Sequence, residues 1–283
     1  MIHSARDVPV GNGSLQLGRV PTVMGIVNTT PDSFSDGGDF ATTDAAVAHA
    51  LQMVSEGADI VDIGGESTRP GSDEIGPQQE LDRVMPVLDG LAASGTQALI
   101  SIDTYKAIVA DQAVQAGASI INDVWGLQRD PEIADVAAHH AVPVIAMHWD
   151  ADRDRSLDLL DEMKRWLSRS IEIALRAGVD KHKIILDPGF GFAKSFQENY
   201  VLLNRLHELH DLGFPLLVGT SRKSMIGNLL DRLPKDRVAG TVATNTIAYL
   251  KGAHIFRVHD VRANRDALRV AAASLYGPPE PSE

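Results

Sequence analysis

Eight short apolar runs, the amphipathic stretches between them and a recurring Gly-Ala turn predict an α/β protein, a single-domain (β/α)8 TIM barrel over residues 22–276. The runs are TVMGIV (22–27), DIVDIG (59–64), ALISID (98–103), SIIND (119–123), VPVIAM (142–147), KIILD (183–187), PLLVG (215–219) and HIFRV (254–258). Their apolar residues are nearly continuous, as in parallel strands covered on both faces. Between the first two runs, TDAAVAHALQMVSEGA places Val47, Leu51 and Val54 at helical spacing, with Thr43 or Asp44 as N-cap and Gly57 as the stop. YKAIVADQAVQAGA, LDLLDEMKRWLSRSIEIALRAGV and ENYVLLNRLHELHDLG repeat that grammar. The Gly-Ala turn into the next strand recurs at Gly57, Gly117 and Gly252, with a variant at Gly178. A doubly wound open sheet is the second fold compatible with this alternation. Residues 1–21 read as a hairpin closing the lower end of the barrel, and the tail 277–283 (GPPEPSE) as disordered.

Composition narrows the function. The 283 residues carry 38 acidic and 26 basic side chains, a net charge of −12, which argues against a non-specific binder of nucleic acid or acidic lipid. There is no cysteine, which excludes disulfides, thiolate metal sites and a cysteine nucleophile. The chain has neither an apolar run long enough to span a membrane nor a basic-then-apolar start, so the expected location is cytoplasmic.

In a barrel of this kind the chemistry sits where the strands end. The first run ends in Asn28, and MGIVNTTPDSFSDGG continues into a polar loop whose one large apolar residue is Phe34. The second holds Asp62 and enters GGESTRPG; the third ends in Asp103, the fourth in Asn122 and Asp123, the sixth in Asp187. The fifth, seventh and eighth lead into MHW, GTSRKS and FRVHD. A single such residue is ordinarily a turn cap; this many on one rim describe a shared pocket, with the loop after Asn28 as a candidate lid. Asp103, Asn122 and Asp187 suit a heterocycle with a donor/acceptor edge, whereas Arg257, His259 and Arg69 suit a phosphate or diphosphate. The competing reading pairs Asp103 and Asp187 with Lys223 and Arg257 in a structural ion network.

MGIVNTTPDSFSDGG, VDIGGESTRPG, SIDT, INDV, LDPGFGFAK, GTSRKS and FRVHD, in this order and spacing, together resemble the dihydropteroate synthases, a family of pterin-binding barrels. The resemblance implies condensation of 6-hydroxymethyl-7,8-dihydropterin diphosphate with 4-aminobenzoate, giving 7,8-dihydropteroate and diphosphate, a step of folate biosynthesis and the target of sulfonamides. It implies pterin contacts from Asp103, Asn122, Asp187 and Lys223, with Thr68 and Arg69 in a second loop at the mouth. It places Asn28, Arg257 and His259 at the diphosphate, with Asn28 as ligand of a Mg²⁺ cofactor. Phe34, Pro70 and Ser224 fall on the aminobenzoate side, Lys223, Asp103, Arg257 and His259 are the catalytic set, and the assembly is a homodimer. Two other functions share the pocket. A methyltetrahydrofolate-binding methyltransferase domain needs neither the cations Arg257 and His259 nor the NTTPDSFSDGG loop, and a silent pterin-binding paralogue differs only in turnover.

The sequence departs from the family where WDADRDRSLDLLDEM follows MH as a short charged loop, and where VWG (124–126) and DTYK (103–106) carry bulky residues. Among the remaining polar residues, His148 faces the rim within reach of a ligand, and DADRDR reads as a solvated face. His139, His140, His207 and His210 fall in helical stretches as surface residues, and Met163 and Trp166 as core. Glu66 reads as a turn residue and Asp62 as a support for the loop or ligand beside it. Arg222 divides evenly between a carboxylate partner and the substrate.

Overall fold

Ile60 and Asp62, Ile120 and Asn122, Ile185 and Asp187, Ile255 and Arg257 stand two residues apart on single strands, and this spacing organises the molecule. A computed structural model describes residues 3–11, 13–30, 39–67 and 73–278. After an antiparallel hairpin, β1 (Arg6–Val10) and β2 (Gly13–Leu17), come eight parallel strands. They are β3 (Thr22–Asn28), β4 (Ile60–Gly64), β5 (Leu99–Asp103), β6 (Ile120–Asp123), β7 (Val144–Met147), β8 (Ile184–Asp187), β9 (Leu217–Val218) and β10 (Ile255–Val258). Their order is β8-β7-β6-β5-β4-β3-β10-β9, and a parallel bridge between Leu186 and Leu216 joins the two edges into a closed barrel. The closing strand β9 is shorter than the 215–219 run suggests, because Pro215 has no N–H for the ladder; its carbonyl still accepts from the Leu186 N–H at 3.0 Å.

Alternation divides the barrel into layers. Val23, Val61, Ile63, Ile102, Ile121, Val144, Leu186 and Phe256 face outward into the layer of helices. Met24, Ile60, Ile120, Ile145, Ile185, Leu217 and Ile255 face inward as an apolar floor, and Val8, Val10, Leu15 and Leu17 of the hairpin pack beneath them. The hairpin thus buries the N-terminal mouth of the barrel. One residue pair further along the same strands, the interior turns polar.

The helices are α1 (Asp39–Ser55), α2 (Pro77–Ser94), α3 (Ala107–Gln115), α4 (Glu132–His139), α5 (Leu159–Ala177), α6 (Phe196–Arg205), α7 (Ser224–Leu230), α8 (Val238–Leu250) and α9 (Val261–Tyr276). Helix α1 begins before the expected caps Thr43 and Asp44, since no Gly or Pro interrupts residues 39–43 and an acidic first residue suits a helix N-terminus. Helix α5 starts at Asp158, whose carboxylate accepts from Leu160 and Asp161 N–H, and ends at Gly178 with φ 94°. Gly57, Gly117 and Gly252 take the same left-handed φ, which is what the repeated Gly-Ala turn supplies. Helix α6 carries a Ser195/Glu198 capping box and gives way at Arg205 to a 3-10 segment, Leu206–Leu212, where the sequence suggested one continuous helix. His207 and His210 therefore lie outside an α-helix.

Because Leu17 is buried under the floor, Leu17→Ala should cost about 2–5 kcal/mol in urea unfolding. The opposite rim should be untouched, so ligand affinity at that end should match the wild-type value below the melting range. A coupled loss of affinity in the folded variant would contradict the layered arrangement.

Candidate active site

The polar interior centres on Arg257 of β10. Its Nε donates to Asp62 Oδ2 and its Nη2 to Asp103 Oδ2, both at 2.6 Å, bridging β4 and β5. Asn122 Nδ2 donates to the same Asp62 oxygen at 3.1 Å. Burial pushes the Asp103 carboxyl up to about 7 against the pull of the Arg257 guanidinium. The other oxygens, Asp62 Oδ1 and Asp103 Oδ1, are buried without a protein partner. Asp187, at the end of β8, accepts from the Gly189 N–H at 2.7 Å; burial raises its pKa, opposed first by Lys223. Asn122, Val124, Met147, Asp187, Phe192, Gly219, Lys223 and Arg257 line one cavity at this end of the barrel.

Lys223 reaches that cavity through a tight turn. Arg222 before it adopts φ 57°, a conformation costly for a side-chain-bearing residue. Its guanidinium forks onto Asp260 at 3.0 and 2.6 Å, and its N–H donates to Thr241 Oγ1. The Lys223 ammonium donates to the Phe190 carbonyl and lies 4.5 Å from the centre of the Phe192 ring. Burial brings its pKa down to about 8. His259, just past β10, places Nδ1 2.9 Å from Ser221 Oγ, which also accepts the His259 backbone N–H. Asn28 and His259 do not line the cavity; they end the neighbouring strands β3 and β10. Ser224 is exposed at the first residue of α7. Phe34, Thr68, Arg69 and Pro70 lie outside the described residues.

Of the two ion pairs weighed from the sequence, Asp103–Arg257 forms, whereas Lys223 bonds a carbonyl instead of Asp187. Asp62 supports its neighbours by holding Arg257 and Asn122. Arg222 takes a carboxylate partner, Asp260. Three expectations fail. His148 is fully buried, with Nδ1 3.0 Å from Lys194 Nζ and its ring against Trp166, so it is sealed from the rim. Glu66 is not a simple turn residue: with Glu80 it holds the Lys106 ammonium, and it accepts from Tyr105 Oη at 3.0 Å. Arg153 within DADRDR is buried and pairs with Glu198 rather than facing water. Met163 and Trp166 are core; His139 and His207 are exposed, while His140 and His210 are half-buried on Asp111 and the Lys251 carbonyl.

Sequence reasoning also missed Lys194, which ties the loop after β8 together by donating to the Gly189 and Phe192 carbonyls. It missed the apolar walls Val124, Met147 and Phe192 as well. For Val124 and Met147 the signal was an apolar residue immediately after, or closing, a strand; Phe192, five residues past β8, carried no such mark.

Comparison with known proteins places these features. A family model described as pterin binding enzyme matches residues 24–259. A dihydropteroate synthase of Bacillus subtilis (strain 168) is 51% identical over 240 residues, 85% of this chain and 84% of that protein. The structure of Xanthomonas albilineans dihydropteroate synthase with 4-aminobenzoic acid superposes with a TM-score of 0.91 at 47% identity, covering 97% of this chain and 100% of that one. Yersinia pestis dihydropteroate synthase in a sulfonamide drug complex superposes with a TM-score of 0.87 at 44% identity, covering 95% and 98%.

Arg257→Leu should cost about 3–5 kcal/mol at pH 7, since it leaves two buried carboxylates without their cation. A carboxyl whose folded pKa is raised lends stability that is complete below its unfolded pKa of about 3.9 and lost as pH rises through the folded value. For Asp103 that value is about 7 with Arg257 present and higher without it. Both proteins lose this contribution alike below that value, so the deficit of the variant should be level from pH 5 to pH 6 and grow from pH 7 to pH 9 in urea unfolding. A deficit independent of pH would mean that the carboxylates do not carry it.

Proposed function

The chain belongs to the family of pterin binding enzymes, and from that premise we propose that it joins 6-hydroxymethyl-7,8-dihydropterin diphosphate to 4-aminobenzoate, the reaction of a dihydropteroate synthase. The observation that carries the reading within this chain is the set of buried acceptors without donors, Asp62 Oδ1 and Asp103 Oδ1, beside a cavity lined by Asp187 and Asn122. Buried acceptors are almost always satisfied. An aminopyrimidine edge presents the N–H groups that these carboxylates lack.

The chemistry assigns each group a task. The bond between the pterin methylene and the diphosphate oxygen breaks, and its electron pair leaves with the diphosphate. The carboxylates of Asp103 and Asp187 face the electron-deficient pterin that remains, which lowers its energy. The aminobenzoate nitrogen then attacks the methylene and loses a proton. Arg257 spends two N–H donors on Asp62 and Asp103 and keeps others for the diphosphate, alongside His259. Lys223 stands between the pterin side and the exposed Ser224, so it serves both substrates. Phe34 and Pro70 remain the apolar aminobenzoate side, and Thr68 and Arg69 the second loop, by resemblance.

Mg²⁺ belongs to the same proposal. Asn28 offers one amide oxygen, and among the described residues no group of three or more His, Cys, Asp or Glu is arranged for a metal. This sparse donor set fits an ion carried in on a diphosphate, because Mg²⁺ keeps waters and binds through few protein oxygens. When bound it offsets charge on the leaving group. A homodimer is supported by the shallow apolar groove between α8 and α9, where Leu250 is 42% and Val270 71% exposed. Sedimentation should show a dimer, and Val270→Glu should convert it to monomer. A cytoplasmic location completes the reading, and among the described residues no helix is long and apolar enough to cross a membrane.

The deciding experiment is formation of 7,8-dihydropteroate from the two substrates, with and without Mg²⁺. No product under either condition would overturn the proposal. Asp187→Asn should weaken binding of a pterin analogue by roughly 1.5–3 kcal/mol in calorimetry, the range for a lost hydrogen bond to a charged group. Wild-type affinity in that variant would remove Asp187 from the pterin site.

A further inference from the structure

Three bulky residues of neighbouring loops, Tyr105, Trp125 and Trp149, assemble on the rim. Trp125 and Trp149 stack with ring centres 4.0 Å apart and planes 10° apart. Trp149 then meets Phe192 at 4.8 Å, and Phe192 faces the Lys223 ammonium at 4.5 Å. At the other end, the Arg129 guanidinium lies 4.9 Å from the Trp125 ring and 4.3 Å from the Tyr105 ring, and Tyr105 Oη donates to Glu66. One row of rings and cations, with Glu66 at its end, thus links the loops after β4, β5, β6, β7, β8 and β9.

Each member stands on a fixed backbone. Asp123 accepts from the Trp125 and Leu127 N–H groups at 2.8 and 2.7 Å, pinning the turn that presents Trp125. His148, next to Trp149, is tied to β8 through its N–H and the Asp187 carbonyl at 2.8 Å. Gly189 makes this approach possible, because a Cβ there would sit 2.1 Å from the His148 oxygen. The stem of Lys223 passes over Gly191, where a Cβ would lie 3.0 Å from Lys223 Cδ. The Phe192 ring joins the stacked pair to the Lys223 ammonium. It meets Trp149 and packs on the small apolar cluster of Tyr105, Val124 and Met147.

We propose that Trp149, stacked on Trp125, is a positioning residue that holds the Phe192 ring against Lys223 and so fixes where the ammonium meets the two substrates. This rests on the functional reading above for the word substrates, and on geometry alone for the hold on Lys223. A stacked pair resists rotation of either ring, since offset stacking is favoured and both faces are covered. Without Trp149, the Phe192 ring is free to rotate away and water reaches the ammonium. The groups acting electrostatically on Lys223 are Asp187 of β8, Arg257 of β10, Asp103 of β5 and Lys194 of the loop after β8, and none of them is altered in a Trp149 variant. A change in Lys223 on altering Trp149 therefore passes through Phe192.

The test compares wild type, Trp149→Phe, Trp149→Leu and Trp149→Ala, each checked by thermal melting. A small amine-reactive anhydride, applied across pH and read at Lys223 by mass spectrometry, gives the titration midpoint without any substrate. The wild-type midpoint should lie near 8. It should rise by about one unit in Trp149→Ala and Trp149→Leu, as burial relaxes, and return in Trp149→Phe. Because small displacements of a reacting group are costly, kcat/KM should fall about tenfold in the two non-aromatic variants and recover in Trp149→Phe. An unmoved midpoint in folded Trp149→Leu overturns the proposal. A midpoint that moves in a protein that forms no dihydropteroate supports the positioning role and overturns the functional reading instead.

Discussion

Two carboxylates, Asp62 and Asp103, lie inside a closed barrel, and a single guanidinium, Arg257, makes that tolerable. Isolated buried charges are too costly to survive folding; a fork that hydrogen-bonds both carboxylates lowers the cost by holding them in one geometry. The geometry constrains four strands. Arg257 reaches across from β10, so β10, β3, β4 and β5 must keep the register that sets Met24 opposite Arg257 and Gly64 opposite Asp103. The apolar floor and the hairpin beneath it supply the burial that offsets this polar layer.

The eight strands and the residues at their ends were legible in the sequence, because each is a local pattern of an apolar run broken by a polar residue. Asp103, Asn122, Asp187, Lys223 and Arg257 converge for that reason. The interior layering was also present, as Ile-x-Asp or Ile-x-Asn on β4, β6 and β8, but outward apolar residues between the inward ones hid it as a continuous run. What the sequence did not reveal were partners distant along the chain. Arg153 looked solvated within DADRDR, yet it pairs with Glu198; Glu66 looked like a turn residue, yet Lys106 and Tyr105 hold it. His148 looked like a rim residue because it ends a strand, but the loop carrying Gly189 and Lys194 seals it. Each error assumed that a charged or ring-bearing residue after a strand faces the solvent.

The loop after β8 deserves its Gly-rich sequence for a physical reason. LDPGFGFAK has to pass the His148 carbonyl, too close for a side chain at Gly189, and the Lys223 stem, where Gly191 takes a left-handed φ of 79°. Lys194 then closes the loop on itself through two carbonyls, and burial lowers its pKa to about 7. One strand end is thereby made stiff enough to present Asp187 inward and Phe192 toward Lys223. The bulky rim residues extend this stiffness to neighbouring loops without adding a charge to the cavity.

Arg257 carries two obligations that cannot be separated by inspection. It neutralises Asp62 and Asp103, and under the proposed reaction its remaining donors serve the departing diphosphate. Under that reading, anything that draws the guanidinium onto a diphosphate weakens its hold on Asp103, whose Oδ2 then joins Oδ1 as an acceptor for the heterocycle. Arrival of the anion and recognition of the ring edge are therefore linked through one cation, in the sense that favours both occurring together. The same linkage means that a loss of activity in an Arg257 variant combines lost charge stabilisation with a loosened polar layer. Only the pH dependence of stability, which follows the carboxylates alone, resolves the two.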